Sequence, residues 1–244
     1  MTPDSVTTKA LPPEIVVLPD LAAITREAAD RFVALVRSAI ASHGRFTVAL
    51  SGGSTPQPLY EQLVTQPIEW QHVHIFWGDE RCVPPDHPDS NYGMAQRALL
   101  SHIDIPLQNV HRLPGELDPV QAAQRYETEL RTLFAAQPRF DLILLGMGPD
   151  AHTASLFPGT AALHEQQHLV VTNYVEKLHT TRITLTFPVI NAASNVIFLI
   201  AGADKAAALR SVWDGPHNPD QFPAQGVTPM TGRVIWLVDQ AAAT

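Results

Sequence analysis

The sequence has a single cysteine, Cys82, among its 244 residues, and it has no long uninterrupted apolar run. One cysteine excludes an intramolecular disulfide and a zinc site built from thiolates, and it suits a reducing cytoplasm. No stretch approaches the roughly 18 apolar residues that a membrane-spanning helix needs. The chain starts without an apolar segment behind a basic end, so we expect no signal peptide. Together these absences predict a cytoplasmic protein with no membrane partner.

Basic residues are also scarce. Lysine and arginine number 16 against 24 aspartates and glutamates, which gives a formal net charge of -8. A protein that binds nucleic acid needs a basic face, so we expect no nucleic acid partner. An anionic small-molecule ligand stays open, because a local pocket can be positive on an acidic protein.

Apolar residues are plentiful, with 45% hydrophobic against 16% charged residues. Short, nearly continuous apolar strands alternate with amphipathic helices, which is typical of an α/β fold. We expect a three-layer sandwich: a mainly parallel sheet with helices on both faces, forming one domain over 1–244 and a monomer or weak homodimer. Strands are predicted at 14–19, 46–53, 73–80, 140–148, 168–174, 182–190, 195–202 and 234–239, and helices from the cap Asp20 to the stop at Gly44, after Pro56, from Asn91 behind the cap Ser90, at 118–136 and at 204–212.

The longest irregular segment is 214–230. A surface loop and a lid over a site are both consistent with a loop of this length.

Predicted strands end in the polar or glycine-rich segments SGGSTP, GDER, GMGPDAH and AGADK. Because ligands of open parallel sheets bind at the carboxyl ends of strands, we expect these segments to share one edge. Residues 51–55, SGGST, combine glycines that let backbone N–H groups approach a ligand with hydroxyl donors before a helix, which is how a phosphate is held. The alternative is an ordinary tight turn. Arg81 and Lys205 are solvated charges if taken singly, but a phosphate on the turn needs cationic partners.

Residues 146–159, GMGPDAHTASLFPG, bring Asp150 and His152 together after a buried strand. His152 is either a satisfied core histidine or a base, since an imidazole takes a proton from water near neutral pH. Asp150 either fixes its tautomer or hydrogen-bonds a substrate hydroxyl. Upstream, Asp79 and Glu80 point to opposite faces if the strand is extended, so we expect one buried capping carboxylate and one exposed.

Other functions that these residues allow are less well supported. Pro149 interrupts the match of GMGPDA to a dinucleotide-binding fingerprint, and no Walker A lysine follows the SGGST turn. His72 and His74 with His152 would suit a zinc ion, but His72 is expected just outside its strand, and we predict no metal. Ser155 lacks the G-x-S-x-G context of a nucleophile, and Ser51 fits a phosphate ligand better.

Taken together, ALSGGSTPQPLYEQL, FWGDERCVPPDHPDSNYGMA, FDLILLGMGPDAHTASLFPG, RITLTFPVINAASNVIFLIAG and IWLVDQAAA resemble the 6-phosphogluconolactonase family over roughly residues 45–243. The resemblance implies hydrolysis of 6-phospho-D-glucono-1,5-lactone, the fold of the sugar-phosphate isomerases and deaminases, and no cofactor. It implies that His152 activates water beside Asp150 and that Asp79 lines the sugar end. It further implies phosphate ligands at Ser51, Gly52, Gly53, Arg81 and Lys205, with Arg182 as a further cation near the ligand.

One departure from the family pattern lies beside the base. The family has glycine in G-P-D-G-H where this chain has Ala151. Alanine disfavours positive φ, so either the backbone there is ordinary or the His152 loop is displaced and catalysis weakened.

Two other functions remain as alternatives. A glucosamine-6-phosphate deaminase resembles this chain in the same turns, and it shares Asp79, but its H-I-A-F-N-E-P pattern has glutamate where this chain has Phe157. A sugar-phosphate sensor on a related fold would bind without turnover, and it would carry a DNA-binding module that this sequence lacks.

Overall fold

The structure, a computed structural model, describes residues 11–134 and 137–244. Its strands are β1 (Glu14–Leu18), β2 (Phe46–Leu50), β3 (Val73–Trp77), β4 (Asp79–Arg81), β5 (Leu142–Leu145), β6 (Val170–Val175), β7 (Thr180–Leu185), β8 (Asn195–Ile200) and β9 (Arg233–Asp239). Its α-helices are α1 (Leu21–His43), α2 (Gln57–Leu63), α3 (Asn91–Ala98), α4 (Pro119–Phe134), α5 (Phe187–Ile190) and α6 (Ala206–Asp214). The expectation of no signal peptide falls partly on residues 1–10, which lie outside the described residues. Residues 135 and 136 of the predicted helix 118–136 also lie outside them.

The central sheet has six strands in the order β1-β9-β8-β5-β2-β3, and every neighbouring pair is parallel. Side chains alternate between its faces because successive residues of a strand point to opposite sides. Leu142 and Leu144 of β5 pack with α1, α2 and α3, whereas Ile143 and Leu145 pack with α4 and α6. The predicted mainly parallel sheet with helices on both faces is confirmed.

Local signals set the ends of α1 as predicted. The Asp20 side chain accepts a hydrogen bond from the Ala23 N–H at 2.8 Å, and Gly44 ends the helix with φ of +81°. A cap of this kind stabilises a helix by about 1 kcal/mol. Ser90 caps α3 in the same way through the Gly93 N–H at 3.0 Å.

The prediction of one continuous strand over 73–80 is wrong. β3 ends at Trp77, and β4 joins a separate antiparallel sheet in the order β4-β7-β6, which the sequence did not predict. Gly78 is the junction: its N–H donates to Leu50 in the central sheet at 2.9 Å, and its carbonyl accepts from the Leu185 N–H at 2.8 Å. The small sheet covers part of the face that carries α4 and α6.

The predicted strand 182–190 is also too long. β7 ends at Leu185, and Phe187–Ile190 forms the short helix α5, with Pro188 in its first turn. Proline fits the first turn of a helix because the N–H it lacks would have no partner there.

The segment 214–230 is anchored to the body of the protein. It contains a 3₁₀ turn at Pro223–Gly226, and Ala224 is buried. The Gln225 side chain donates to the carbonyls of Ser211 and Val212 at 3.1 and 3.3 Å. Within the described residues, no helix is long and apolar enough to cross a membrane, and the compartment stays a prediction.

Candidate active site

A cavity of about 250 Å³ opens at the carboxyl ends of the central strands. The segments predicted to share this edge do line it. Its walls come from the turn after β2, from β4, from the loop after β5 and from the segment after β8, and its lining includes Ser51, Gly52, Gly53, Asp79, Arg81, Asn91, Gly148, His152 and Lys205.

The SGGST turn, residues 51–55, requires glycine at positions 52 and 53 for two different reasons. Gly53 has φ of +97°, a conformation that other residues rarely adopt. At Gly52, a Cβ atom would lie 1.7 Å from the Asn91 Oδ1 atom, so the Asn91 side chain occupies the space that any larger residue would need. The Ser51 hydroxyl oxygen is buried without a hydrogen-bond partner among the residues described. The turn therefore presents compact backbone to the cavity.

Two buried tyrosines hold the ends of the strands that lead into the site. The Tyr60 hydroxyl accepts from the Ser51 N–H at 3.0 Å and donates to the Ser51 carbonyl at 2.7 Å. The Tyr126 hydroxyl makes the same pair of contacts with Trp77, at 2.9 and 3.1 Å. Each hydroxyl thus satisfies both backbone groups of one strand-end residue, which would otherwise be buried unpaired.

Asp79 and Glu80 are both buried, so the prediction that one of them is exposed is wrong. The Glu80 carboxylate caps α3, accepting from the backbone N–H groups of Asn91 and Tyr92 at 2.7 and 2.8 Å. Burial raises the pKa of the Glu80 carboxyl, and the backbone hydrogen bonds from Tyr92, Asn91 and Arg81 offset part of that rise. Glu80 is therefore a structural residue.

Asp79 lines the cavity, and hydrogen bonds from Ser155 and Asn91 hold its carboxylate in place. The Ser155 hydroxyl donates to its Oδ2 atom at 2.6 Å, and the Asn91 amide donates to its backbone carbonyl at 2.9 Å and to its Oδ1 atom at 3.3 Å. Ser155 is buried and does not line the cavity, so its hydroxyl supports the Asp79 carboxylate and does not face a ligand.

His152 lines the cavity, and Asp150 lies behind it. The His152 Nδ1 atom is 2.5 Å from the Asp150 Oδ1 atom, and the imidazole stacks on the Phe157 ring with centroids 4.0 Å apart. The loop needs glycine at position 148, because a Cβ atom there would lie 2.1 Å from the imidazole ring. This geometry matches the tautomer-fixing alternative for Asp150, since its contact occupies one ring nitrogen and leaves the other for the cavity.

A lysine side chain also contacts Asp150. The Lys177 ammonium donates to its Oδ2 atom. Burial by itself would raise the pKa of the Asp150 carboxyl, but the hydrogen bonds from His152 and Lys177 outweigh it, and the pKa lies well below its usual range. Asp150 is therefore ionised at neutral pH.

The first of the two outcomes expected for Ala151, an ordinary backbone, is wrong. Ala151 is buried and adopts a left-handed conformation with φ of +63°. Its N–H donates to the Gly148 carbonyl at 3.0 Å, and its carbonyl accepts from the Ala224 N–H at 3.0 Å. The alanine thus adopts a conformation that favours glycine, and His152 lines the cavity. A weakening of catalysis by this alanine stays a prediction.

The predicted cations separate into two groups. Arg81 and Lys205 line the cavity, and Arg81 also donates to the Asp89 carbonyl at 2.5 Å. Arg182 does not line it; it lies directly opposite Arg81 in the small sheet. Burial, and then the charge of Arg81, lower the pKa of Arg182. A contact between Arg182 and a ligand stays a prediction.

The histidines considered as metal ligands lie apart from His152. His72 is in a turn just before β3, and the His74 Nδ1 atom is 3.0 Å from the Nε2 atom of His111, whose other nitrogen contacts Glu129 at 2.7 Å. Among the described residues, no group of three or more histidine, cysteine, aspartate or glutamate side chains is placed to hold a metal ion.

Some site residues carry no signal in the sequence. Asn91 reads only as the first residue of a helix, and Lys177 only as a surface charge on a hairpin. Pairing of β6 with β7 brings Lys177 to a loop that precedes it by 27 positions. Contacts of this kind depend on the tertiary fold.

Comparison with known proteins gives the family of this chain. The family model described as glucosamine-6-phosphate isomerases/6-phosphogluconolactonase matches residues 19–236. The chain belongs to this family. The resemblance stated from the sequence motifs is thereby confirmed.

The family's relatives are similar along nearly their whole length. The chain is 46% identical over 231 residues to a 6-phosphogluconolactonase of Nostoc sp., covering 93% of this chain and 95% of that one. It is 49% identical over 212 residues to a 6-phosphogluconolactonase of Synechocystis sp., covering 85% and 87%. The crystal structure of the 6-phosphogluconolactonase of Thermotoga maritima superimposes with a TM-score of 0.84 at 31% identity, covering 94% of this chain and 100% of that one.

Proposed function

We propose that this protein hydrolyses 6-phospho-D-glucono-1,5-lactone to 6-phospho-D-gluconate, the second step of the oxidative pentose phosphate pathway. One observation carries the proposal: His152, which contacts Asp150, lines the same cavity as the SGGST turn, Arg81 and Lys205. The names of the similar proteins support the same substrate.

The phosphate group binds to the SGGST turn. The backbone N–H groups around Gly52 and Gly53 approach it closely, and Arg81 and Lys205 supply positive charge. Binding energy from this remote group fixes the lactone ring against His152.

The chemical step needs one base and no covalent intermediate, because a δ-lactone is already an activated ester. His152 takes a proton from water as the water oxygen forms a bond to the lactone carbonyl carbon. The tetrahedral oxyanion then collapses, the bond to the ring oxygen breaks, and the proton passes from His152 to that oxygen as the ring opens. Asp150 stabilises the imidazolium that exists between the two transfers.

Donors for the oxyanion are proposed to come from backbone N–H groups of the loop 146–152. The geometry narrows that set. The N–H groups of Gly148 and Ala151 donate within the loop, to the carbonyls of His152 and Gly148 at 2.9 and 3.0 Å. The His152 N–H donates to the Asp150 Oδ1 atom at 3.3 Å, and Pro149 has no N–H. Donors from the loop are therefore proposed among Gly146, Met147 and Asp150.

Asp79 is proposed to accept hydrogen bonds from the sugar hydroxyls. It faces the cavity with its carboxylate fixed by Ser155 and Asn91. An orienting acceptor would distinguish the hydroxylated lactone ring from an analogue without those hydroxyls.

A specific observation bears on the deaminase alternative. Phe157, at the position of the glutamate in the deaminase pattern, packs its ring on His152. A phenyl ring transfers no proton, so the second acid–base group that isomerisation requires is missing at this position. Asp79, at the position that matches the deaminase base, is retained, so the test below includes the deaminase substrate.

The test uses freshly generated 6-phosphogluconolactone. Rates are compared for the native protein, for His152→Ala and for buffer alone, with glucosamine 6-phosphate as a second substrate. We expect fast lactone hydrolysis that falls at least about a hundredfold in the variant. Fast hydrolysis by both proteins would place the base elsewhere. Binding of the phosphosugar without turnover would favour the sensor, and turnover of glucosamine 6-phosphate would favour the deaminase.

A further inference from the structure

Lys177 lies at the tip of the hairpin that joins β6 to β7. The tip is a 3₁₀ turn over Glu176–Leu178, and the next residue, His179, closes it with a left-handed φ of +47°. The His179 N–H donates to the Glu176 carbonyl at 3.0 Å. A tight, hydrogen-bonded tip of this kind gives the Lys177 side chain a defined origin opposite the His152 loop.

The lysine contacts both groups that support His152. Its ammonium donates to the Asp150 Oδ2 atom, while the Asp150 Oδ1 atom lies 2.5 Å from the His152 Nδ1 atom. The same ammonium lies 4.9 Å from the centroid of the Phe157 ring, on which the imidazole stacks. Lys177 is therefore linked to the edge of the imidazole through a carboxylate and to its face through an aromatic ring.

Lys177 does not line the proposed substrate cavity. Together with Asp150 and Phe157 it lines a separate depression, and none of these three residues lines the substrate cavity. Glu176 is the other charged residue that lines this depression. Lys177 is thus placed to act through Asp150 and not through the ligand.

We propose that Lys177 is a positioning residue of the reaction: it holds the second oxygen of Asp150 so that the first stays on His152, and it limits how strongly Asp150 stabilises the imidazolium that forms when His152 takes a proton from water. The proposal rests on the hydrolysis proposed above. If its ammonium were absent, the full negative charge of Asp150 would act on the imidazolium. The base would then hold a proton at a higher pH, and the carboxylate would be free to rotate.

The competing explanation is an ordinary surface ion pair. The Lys177 side chain is 52% exposed, and exposed pairs contribute only about 0–1 kcal/mol to stability. An ion pair on α4 provides a matched control, because Arg131, with its side chain 50% exposed, binds the partly buried carboxylate of Glu127 away from the cavity. Neutralising either cation removes the same charge from a similar setting.

The experiment compares the native protein with Lys177→Gln, Lys177→Arg and the control Arg131→Gln. For each protein, kcat and KM for the lactone are measured across pH, with a thermal melt to verify folding. For Lys177→Gln we expect kcat to fall about tenfold, KM to change little, and the acid limb of kcat/KM to move to higher pH. Lys177→Arg should recover most of the kcat, and Arg131→Gln should behave as the native protein.

Equal behaviour of Lys177→Gln and Arg131→Gln in kcat and in pH profile would overturn the proposal. A rise in KM at constant kcat would also overturn it, because it would make Lys177 a ligand contact. If Lys177→Gln fails to fold, Lys177→Met, which keeps the apolar stem, replaces it. Absence of hydrolysis by the native protein would instead refute the proposed function, so the two failures are distinguishable.

Discussion

The Ala151 carbonyl accepts a hydrogen bond from the Ala224 N–H at 3.0 Å, so the segment 214–230 fixes the residue that precedes His152. This contact, together with the bond from the Ala151 N–H to Gly148, holds an alanine at φ of +63°. The strain lies directly beside the proposed base, where backbone shape decides the position of the imidazole.

Replacing Ala151 with glycine is expected to stabilise the protein. Relief of a left-handed alanine, roughly 1–2 kcal/mol, exceeds the unfolded-state entropy that glycine adds. We expect the free energy of unfolding to rise by up to about 1 kcal/mol, with unchanged hydrolysis, in urea denaturation and activity assays. Ala161→Gly is the control, since Ala161 is exposed and is not among the residues with positive φ. Equal destabilisation by both changes would contradict this reading.

Tyr60 and Tyr126, which hydrogen-bond to both backbone groups of Ser51 and Trp77, provide a matched pair of substitutions. Tyr60→Phe and Tyr126→Phe each leave a buried N–H and carbonyl without that partner, and each should lower the free energy of unfolding by about 1–3 kcal/mol. Only Tyr60 holds Ser51, which lines the cavity. Tyr60→Phe should therefore also raise KM, whereas Tyr126→Phe should leave KM unchanged. Parallel denaturation curves and saturation kinetics measure both effects, and equal KM values would remove Ser51 from the ligand site.

Arg81→Ala is expected to weaken substrate binding more than turnover. A hydrogen bond to a charged group contributes about 1.5–3 kcal/mol, so KM should rise tenfold or more with a smaller fall in kcat. Arg112→Ala is a suitable control, because Arg112 pairs with Glu116 and does not line the cavity. Saturation kinetics that match the native protein would remove Arg81 from the phosphate site.

Asp150 should make stability depend on pH in the acid range. Its folded-state pKa is lowered, so its stabilising contribution is complete above the unfolded value near 4 and is lost as pH falls through the folded value. The difference in unfolding free energy between the native protein and Asp150→Asn should be constant near pH 7 and should shrink below about pH 4. A difference that persists unchanged to pH 3 would mean that the carboxylate charge does not stabilise the fold.

The sequence predicted the central sheet well because its strands are buried on both faces and read as short apolar runs. The rule that ligands bind at the carboxyl ends of strands then correctly predicted that one cavity contains Ser51, Arg81, His152 and Lys205. It could not predict the small sheet, because the change of direction at Gly78 depends on tertiary pairing with Leu185. The exposure of the Asp79–Glu80 pair was misjudged for the same reason, and Lys177 was missed because only strand pairing brings it to Asp150.

Gly78 is a peptide junction at which backbone hydrogen bonding passes from the central sheet to the small one. The SGGST turn follows β2 of the central sheet, and Arg81 is the last residue of β4 in the small sheet. A phosphate held between them would therefore add a further link between the two sheets, beside the junction at Gly78 and the hydrogen bond from Ser155 to Asp79. Ligand binding would slow amide hydrogen exchange on both sides of the junction, in β4 and β7 as much as in the turn itself.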